Sequence, residues 1–131
     1  MSITLAEAGN VLKGAIIKAE ELDIKINVAV CDAGGRLVAF ARMDGGQWGG
    51  VYGAQGKAIA ASAFGRASGV LEAWADLPII RSIVANEGGH MILHQGALPI
   101  IRDGVVIGAC GVGGGTAQED EDCAKAGLDT L

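Results

Sequence analysis

Aromatic residues are scarce in this chain: two Phe, two Trp and one Tyr make up 4% of its 131 residues. Stacked rings therefore cannot build the core, and Ala, Val, Ile and Leu must fill it. Proline is scarcer still, at two residues, and the glycines follow no Gly-X-Y period, which excludes collagen and Pro/Gly low complexity. Cys31, Cys110 and Cys123 are odd in number and lack C-x-x-C spacing. They read as reduced thiols packed as small hydrophobes rather than as metal or catalytic groups. Basic residues number 10 against 15 acidic ones, a net charge of −5, and no Lys/Arg run occurs. Nucleic acid is thus not expected as a partner, because binding phosphate needs a basic face. No apolar stretch reaches about 18 residues, and the N-terminus lacks a charged-then-apolar signal pattern. The expectation is a soluble, cytoplasmic protein with no membrane role.

What the chain does have is glycine, 22 residues of 131, more than twice the usual share. Half the residues are hydrophobic, so the sequence is globular and not disordered. The length suits one domain over residues 1–131 that buries a core without staples. Glycine must then mark tight turns and close backbone approaches.

Thr4-Leu5-Ala6-Glu7 has the form of a capping box, and apolar residues from Leu5 to Ala19 recur at helical spacing. A first helix is predicted over about residues 5–22. Lys25 to Cys31 and Arg36 to Arg42 read as strands around an Asp32-Ala33-Gly34-Gly35 turn. Residues 43–50 read as a loop, 51–64 as an Ala-rich helix, and 71–84 as further helix interrupted before Pro78. Met91 to His94 and Leu98 to Ile101 read as strand flanking a Gln95-Gly96 kink. Asp103-Gly104 suits a tight hairpin turn, Val105 to Val112 returns, and Thr116 to Glu119 opens the last helix with a second capping box. The order α-β-β-α-α-β-β-α predicts an α+β fold, with helices packed on one mainly antiparallel sheet, and excludes alternating βα units.

Several constellations can carry chemistry. Gly113-Gly114-Gly115 ahead of a capped helix is either a compact strand-to-helix corner or an anion site built on the helix N-terminus. The four acids from Glu119 to Asp122 fill the same dipole and oppose a phosphate. His90 and His94 stand four apart, and on a strand they share a face at about 13 Å, too far apart to grip one metal. Either alone can act as a haem ligand or general base, or can be a polar residue at a strand edge. Arg42, Asp44, Lys57 and Glu87 are isolated charges near glycines that either converge on a pocket or serve as caps and intersubunit ion pairs. No Ser-His-Asp arrangement or Gly-x-Ser-x-Gly motif is present.

Taken together, the segments resemble the GlcG/HbpS family, the haem-degrading domain family that also forms the C-terminal domain of PduO-type proteins. The matching stretches are residues 28–35, 37–44, 56–58, Ala63-Phe64-Gly65-Arg66, 98–100 and 111–116, and they span nearly the whole chain. The resemblance implies a layered, profilin-like fold with about five strands, and homo-oligomers from dimers to octamers. It also implies a haem or corrinoid ligand. The family's motifs map onto Arg42, Met43 and Asp44, onto Gly56, Lys57 and Ala58, and onto Gly114, Gly115 and Thr116. Both histidines lie where this chain departs from the family's pattern.

Three functions follow as expectations. The first is an oligomeric protein binding haem or a related small ligand in a glycine-lined pocket. Asp44, Phe64, His94, Gly113, Gly114, Gly115 and Thr116 would contact that ligand, and His90 or His94 would meet the haem iron. The second is a small catabolic hydrolase, deaminase or isomerase acting on a carboxylated molecule. There Arg42 and Lys57 would hold the carboxylate, and His90 or Glu87 would serve as acid or base. The third is a non-catalytic scaffold.

Overall fold

A computed structural model describes all residues from Met1 to Leu131. Helix α1 (Leu5–Glu21) opens at the expected capping box, with Thr4 Oγ1 accepting from the Glu7 N–H at 3.1 Å. Strands β1 (Asn27–Asp32) and β2 (Leu37–Arg42) follow, then α2 (Gly49–Phe64). A 3-10 turn over Val70–Trp74 precedes α3 (Pro78–Asn86), whose proline sits in the first helical turn, where its missing N–H does no harm. Strands β3 (Ala97–Arg102) and β4 (Val105–Gly113) and helix α4 (Ala117–Leu128) complete the chain.

The four strands form one antiparallel sheet in the order β2-β1-β4-β3. One expected strand is missing. Met91 to His94 join no ladder, so the sheet has four strands and not about five. The α+β class holds. Helices α1 and α4 cover one face of the sheet and α2 the other.

The two faces are built differently. Val28 and Val30 of β1 and Cys110 and Val112 of β4 join Ala8, Val11, Ala15, Cys123 and Ala124 in the larger core. The alternate residues, Cys31, Ala97 and Ala109, pack with Ala58 and Ala61 of α2 in a smaller cluster. Small side chains on both partners let α2 lie close to the sheet. A Cβ at Gly111 would stand 2.1 Å from the Ala54 carbonyl oxygen and 2.8 Å from the Ala58 nitrogen. The intimate seating of α2 brings its flank up beside the end of β2, and a cleft opens there. The three thiols are free and buried, as the sequence suggests.

Candidate functional site

The cleft starts at the β1–β2 turn. Asp32 Oδ1 accepts from the N–H groups of Gly34 (2.8 Å) and Arg36 (3.0 Å), an Asx arrangement that fixes the turn. This sets Arg36 and Leu37 on the rim. Tyr52, Gln55, Gly56 and Ile59 of α2 form the floor, and the segment after α3 supplies Gly89, His90 and Ile92. The space is about 380 Å³, open on one side.

Glu87 caps the C-terminus of α3, and its carboxylate reaches back to the turn. The Arg36 guanidinium donates to it at 2.6 and 3.4 Å. That donor holds the Glu87 carboxyl below the usual carboxylate range, with a smaller contribution from His90. Gly88 and Gly89 both take positive φ (73° and 78°) and reverse the chain, which delivers His90 to the cleft. From there the side chains alternate. His90 and Ile92 line this cleft, while Met91 and Leu93 line a second groove with Ala75, Arg81, Val84 and Ala85. The period of two that reads as a strand is real, but it comes from a wall between two hollows. The Ile92 N–H donates to the Gly56 carbonyl oxygen (3.1 Å) rather than to a sheet partner.

The other charged and ligand candidates do not converge here. Arg42 and Asp44 are exposed at the opposite end of β2 from Arg36. Lys57 is neither a free cation nor an exposed cap. Its ammonium is buried, donating to the Val112 carbonyl oxygen (2.7 Å) and Asp120 Oδ2 (3.2 Å). A joint grip of Arg42 and Lys57 on a carboxylated substrate is therefore not formed. Phe64 packs edge-on against Trp74, with the Arg66 guanidinium over the Trp74 ring. His94 pairs with Glu72 (Nδ1 to Oε1 2.9 Å) outside the cleft. At the Gly113-Gly114-Gly115 corner, the Gly115 N–H donates to Asp120 (2.8 Å) and the Thr116 N–H to Glu119 (2.9 Å). The chain's own carboxylates thus occupy amides that an anion would need, and the corner is structural. No group of three or more His, Cys, Asp or Glu side chains converges to hold a metal ion.

Of the expected residues, His90 lines the cleft and Glu87 borders it through Arg36. Arg36 itself, Tyr52 and Gln55 were not legible as site residues. The turn signal just before Arg36 was the one local cue to it. Tyr52 and Gln55 sit on a helix whose apolar pattern marks no distinct face.

Comparisons with known proteins agree with this architecture. The pattern of the family described as "Haem degrading protein HbpS-like" matches residues 3–129. An uncharacterized 15.0 kDa protein from the dhaT-dhaS intergenic region of Citrobacter freundii is 29% identical over 129 residues, covering 98% of this chain and 91% of that one. The crystal structure of the Klebsiella pneumoniae protein ORFY superposes with a TM-score of 0.89 at 28% identity, covering 98% of this chain and 89% of that one. The crystal structure of a PduOC:haem complex superposes with a TM-score of 0.88 at 22% identity, covering 100% of this chain and 96% of that one. With a pattern that runs almost from end to end, and a fold that these structures share, the chain belongs to the HbpS-like haem-degrading family.

Proposed function

We propose that the chain binds haem or a related planar small ligand in the cleft between the β1–β2 turn and α2, as a homo-oligomer in the cytoplasm. One observation carries the reading: an imidazole, His90, and a guanidinium, Arg36, line one cleft together with Leu37, Tyr52, Ile59 and Ile92. Imidazole is a common axial ligand of haem iron, and the apolar and aromatic walls suit a flat ring. The donor set therefore fits the group that the PduOC structure contains. When bound, haem supplies a redox-active iron. His90 would hold that iron, and the side chains around it would exclude water from one face of the ring.

Oligomerisation is supported by apolar side chains left at the surface beside the cleft. Trp48 and Tyr52 are 71% and 66% exposed, their rings edge to face at 6.3 Å, and Leu37 is 51% exposed. Exposed apolar groups gathered in this way mark contact surfaces.

Hemin titration followed at the Soret band tests the ligand. A saturable shift is expected, weakened or displaced in His90→Ala and unchanged in His94→Ala. A wild-type protein with no saturable shift refutes the reading, and so does a His90→Ala variant that behaves as wild type. Native mass spectrometry tests the assembly, and a monomer at micromolar concentration refutes that part.

A further inference from the structure

We infer that Arg36 is the carboxylate receptor of this cleft and that Glu87 is its built-in competitor, a latch that an acid-bearing ligand must displace. The inference rests on the ligand reading above and adds the feature of the ligand that is selected.

The backbone at Arg36 is pinned, because Asp32 Oδ1 holds its N–H while Gly35 takes a positive φ of 75°. Only the side chain is free to change partner. It is two-thirds exposed and lines the cleft, yet its one charged contact is Glu87, 51 residues away and outside the cleft lining. That contact is lopsided. One N–H lies 2.6 Å from Oε1 and the second 3.4 Å from Oε2, so the fork spans both oxygens with one short arm and one long arm. A two-pronged grip is the arrangement in which arginine holds a carboxylate best. The guanidinium side of the pair is open to solvent, and ion pairs at a surface are worth little, so a ligand acid can replace Glu87 at small cost.

Glu87 has a reason to seek a cation. It caps the C-terminus of α3, where the helix dipole is negative and a carboxylate is disfavoured. Once a ligand takes Arg36, the basic group next along the chain from Glu87 is His90, whose ring the Gly88-Gly89 reversal folds back over Gly88. A Cβ at Gly88 would lie 3.4 Å from His90 Cε1 and 3.5 Å from Nδ1. Arg36, Glu87 and His90 thus form one exchangeable set. A ligand acid on the arginine leaves the carboxylate to the imidazole that faces the ligand.

The test compares hemin with hemin dimethyl ester, whose carboxylates are blocked, on the wild type, Arg36→Gln and Glu87→Gln. Wild type should prefer the free acid by about ten- to a hundredfold, the usual worth of a hydrogen bond to a charged group. Arg36→Gln should erase that preference, bringing hemin and its ester to equal affinity. Glu87→Gln should tighten hemin and not the ester. Equal wild-type affinities for acid and ester overturn the inference, and so does an Arg36→Gln variant that weakens both alike or neither. A second arm separates this from failure of the haem reading. Benzoate is titrated into ¹⁵N-labelled protein and the Arg36 Nε–H resonance is followed. If hemin does not bind but benzoate shifts that resonance, and does so more tightly in Glu87→Gln, the receptor stands and the haem reading falls. A resonance unmoved by benzoate in a protein that does not bind hemin overturns both.

Discussion

Lys57 and Asp120 form a buried ion pair, Nζ to Oδ2 at 3.2 Å, that ties the middle of α2 to the first turns of α4 through the end of β4. Both side chains are less than a tenth exposed. Burial pushes the Asp120 carboxyl up, against the pull of the Gly115 N–H and of Lys57. The pair joins the two helical layers across the sheet, and the ammonium and both carboxylate oxygens each have a partner within 3.2 Å.

Removing one member strands the other. Asp120→Ala should destabilise the fold by about 3–5 kcal/mol, because an unpaired buried ammonium remains. The double variant Lys57→Met, Asp120→Leu should recover most of that loss. Urea unfolding at neutral pH measures both, and a single variant within about 1 kcal/mol of wild type would show that the pair carries little.

Close packing of α2 gives a second prediction. In Gly56→Ala the new methyl would stand 2.7 Å from the His90 carbonyl oxygen and 2.5 Å from Ile92 Cγ1, so the wall of the cleft must move. An overpacked site of this kind loses about 1–3 kcal/mol. Hemin affinity should fall with it. Gly111→Ala should be harsher, since the obstruction at 2.1 Å is α2 backbone rather than a side chain that can turn. Thermal unfolding ranks the two, and a milder Gly111→Ala would contradict this account of the sheet–helix contact.

Acid sensitivity should follow Glu7. The Arg102 guanidinium, helped by the Thr4 N–H, lowers its carboxyl from the ordinary value of 4.5 to about 2. A carboxylate depressed by folding contributes stability that is fully present above 4.5 and is lost as pH falls toward 2. Glu7→Gln should therefore flatten the melting temperature between pH 5 and pH 2 and lower it at pH 7. Parallel curves for variant and wild type would remove Glu7 as the source.

The thiols should be inert in the native state. Burial pushes all three up, Cys123 to about 11, so the reactive thiolate is rare at neutral pH. A thiol reagent such as DTNB should modify none in the folded protein within the time that it modifies three in denaturant. One fast thiol in the native protein would show an opening that the packing does not contain.

The elements themselves were legible in local sequence. Both capping boxes, the Asp103-Gly104 turn (φ 53° and 76°) and the helix start at Pro78 appear where the residues indicate. Each depends on contacts within about four residues, which the chain order alone specifies. The strand expected at Met91 to His94 does not form, for an equally physical reason. A period of two reports that side chains face two ways, and it does not report whether a neighbouring strand is there to pair with.

The site was a different matter. Sequence alone determined the antiparallel α+β plan, the small-residue faces and the family resemblance. Tertiary structure decided which charges are free. Lys57 found Asp120, 63 residues on, and left the solvent, while Arg36 found Glu87 and stayed at the rim of the cleft. Arg42, with the same charge, ended at the far end of the same strand. Charge and local pattern are properties of the residue, but the partner that buries, exposes or neutralises it comes from elsewhere in the chain and is set only when the layers close.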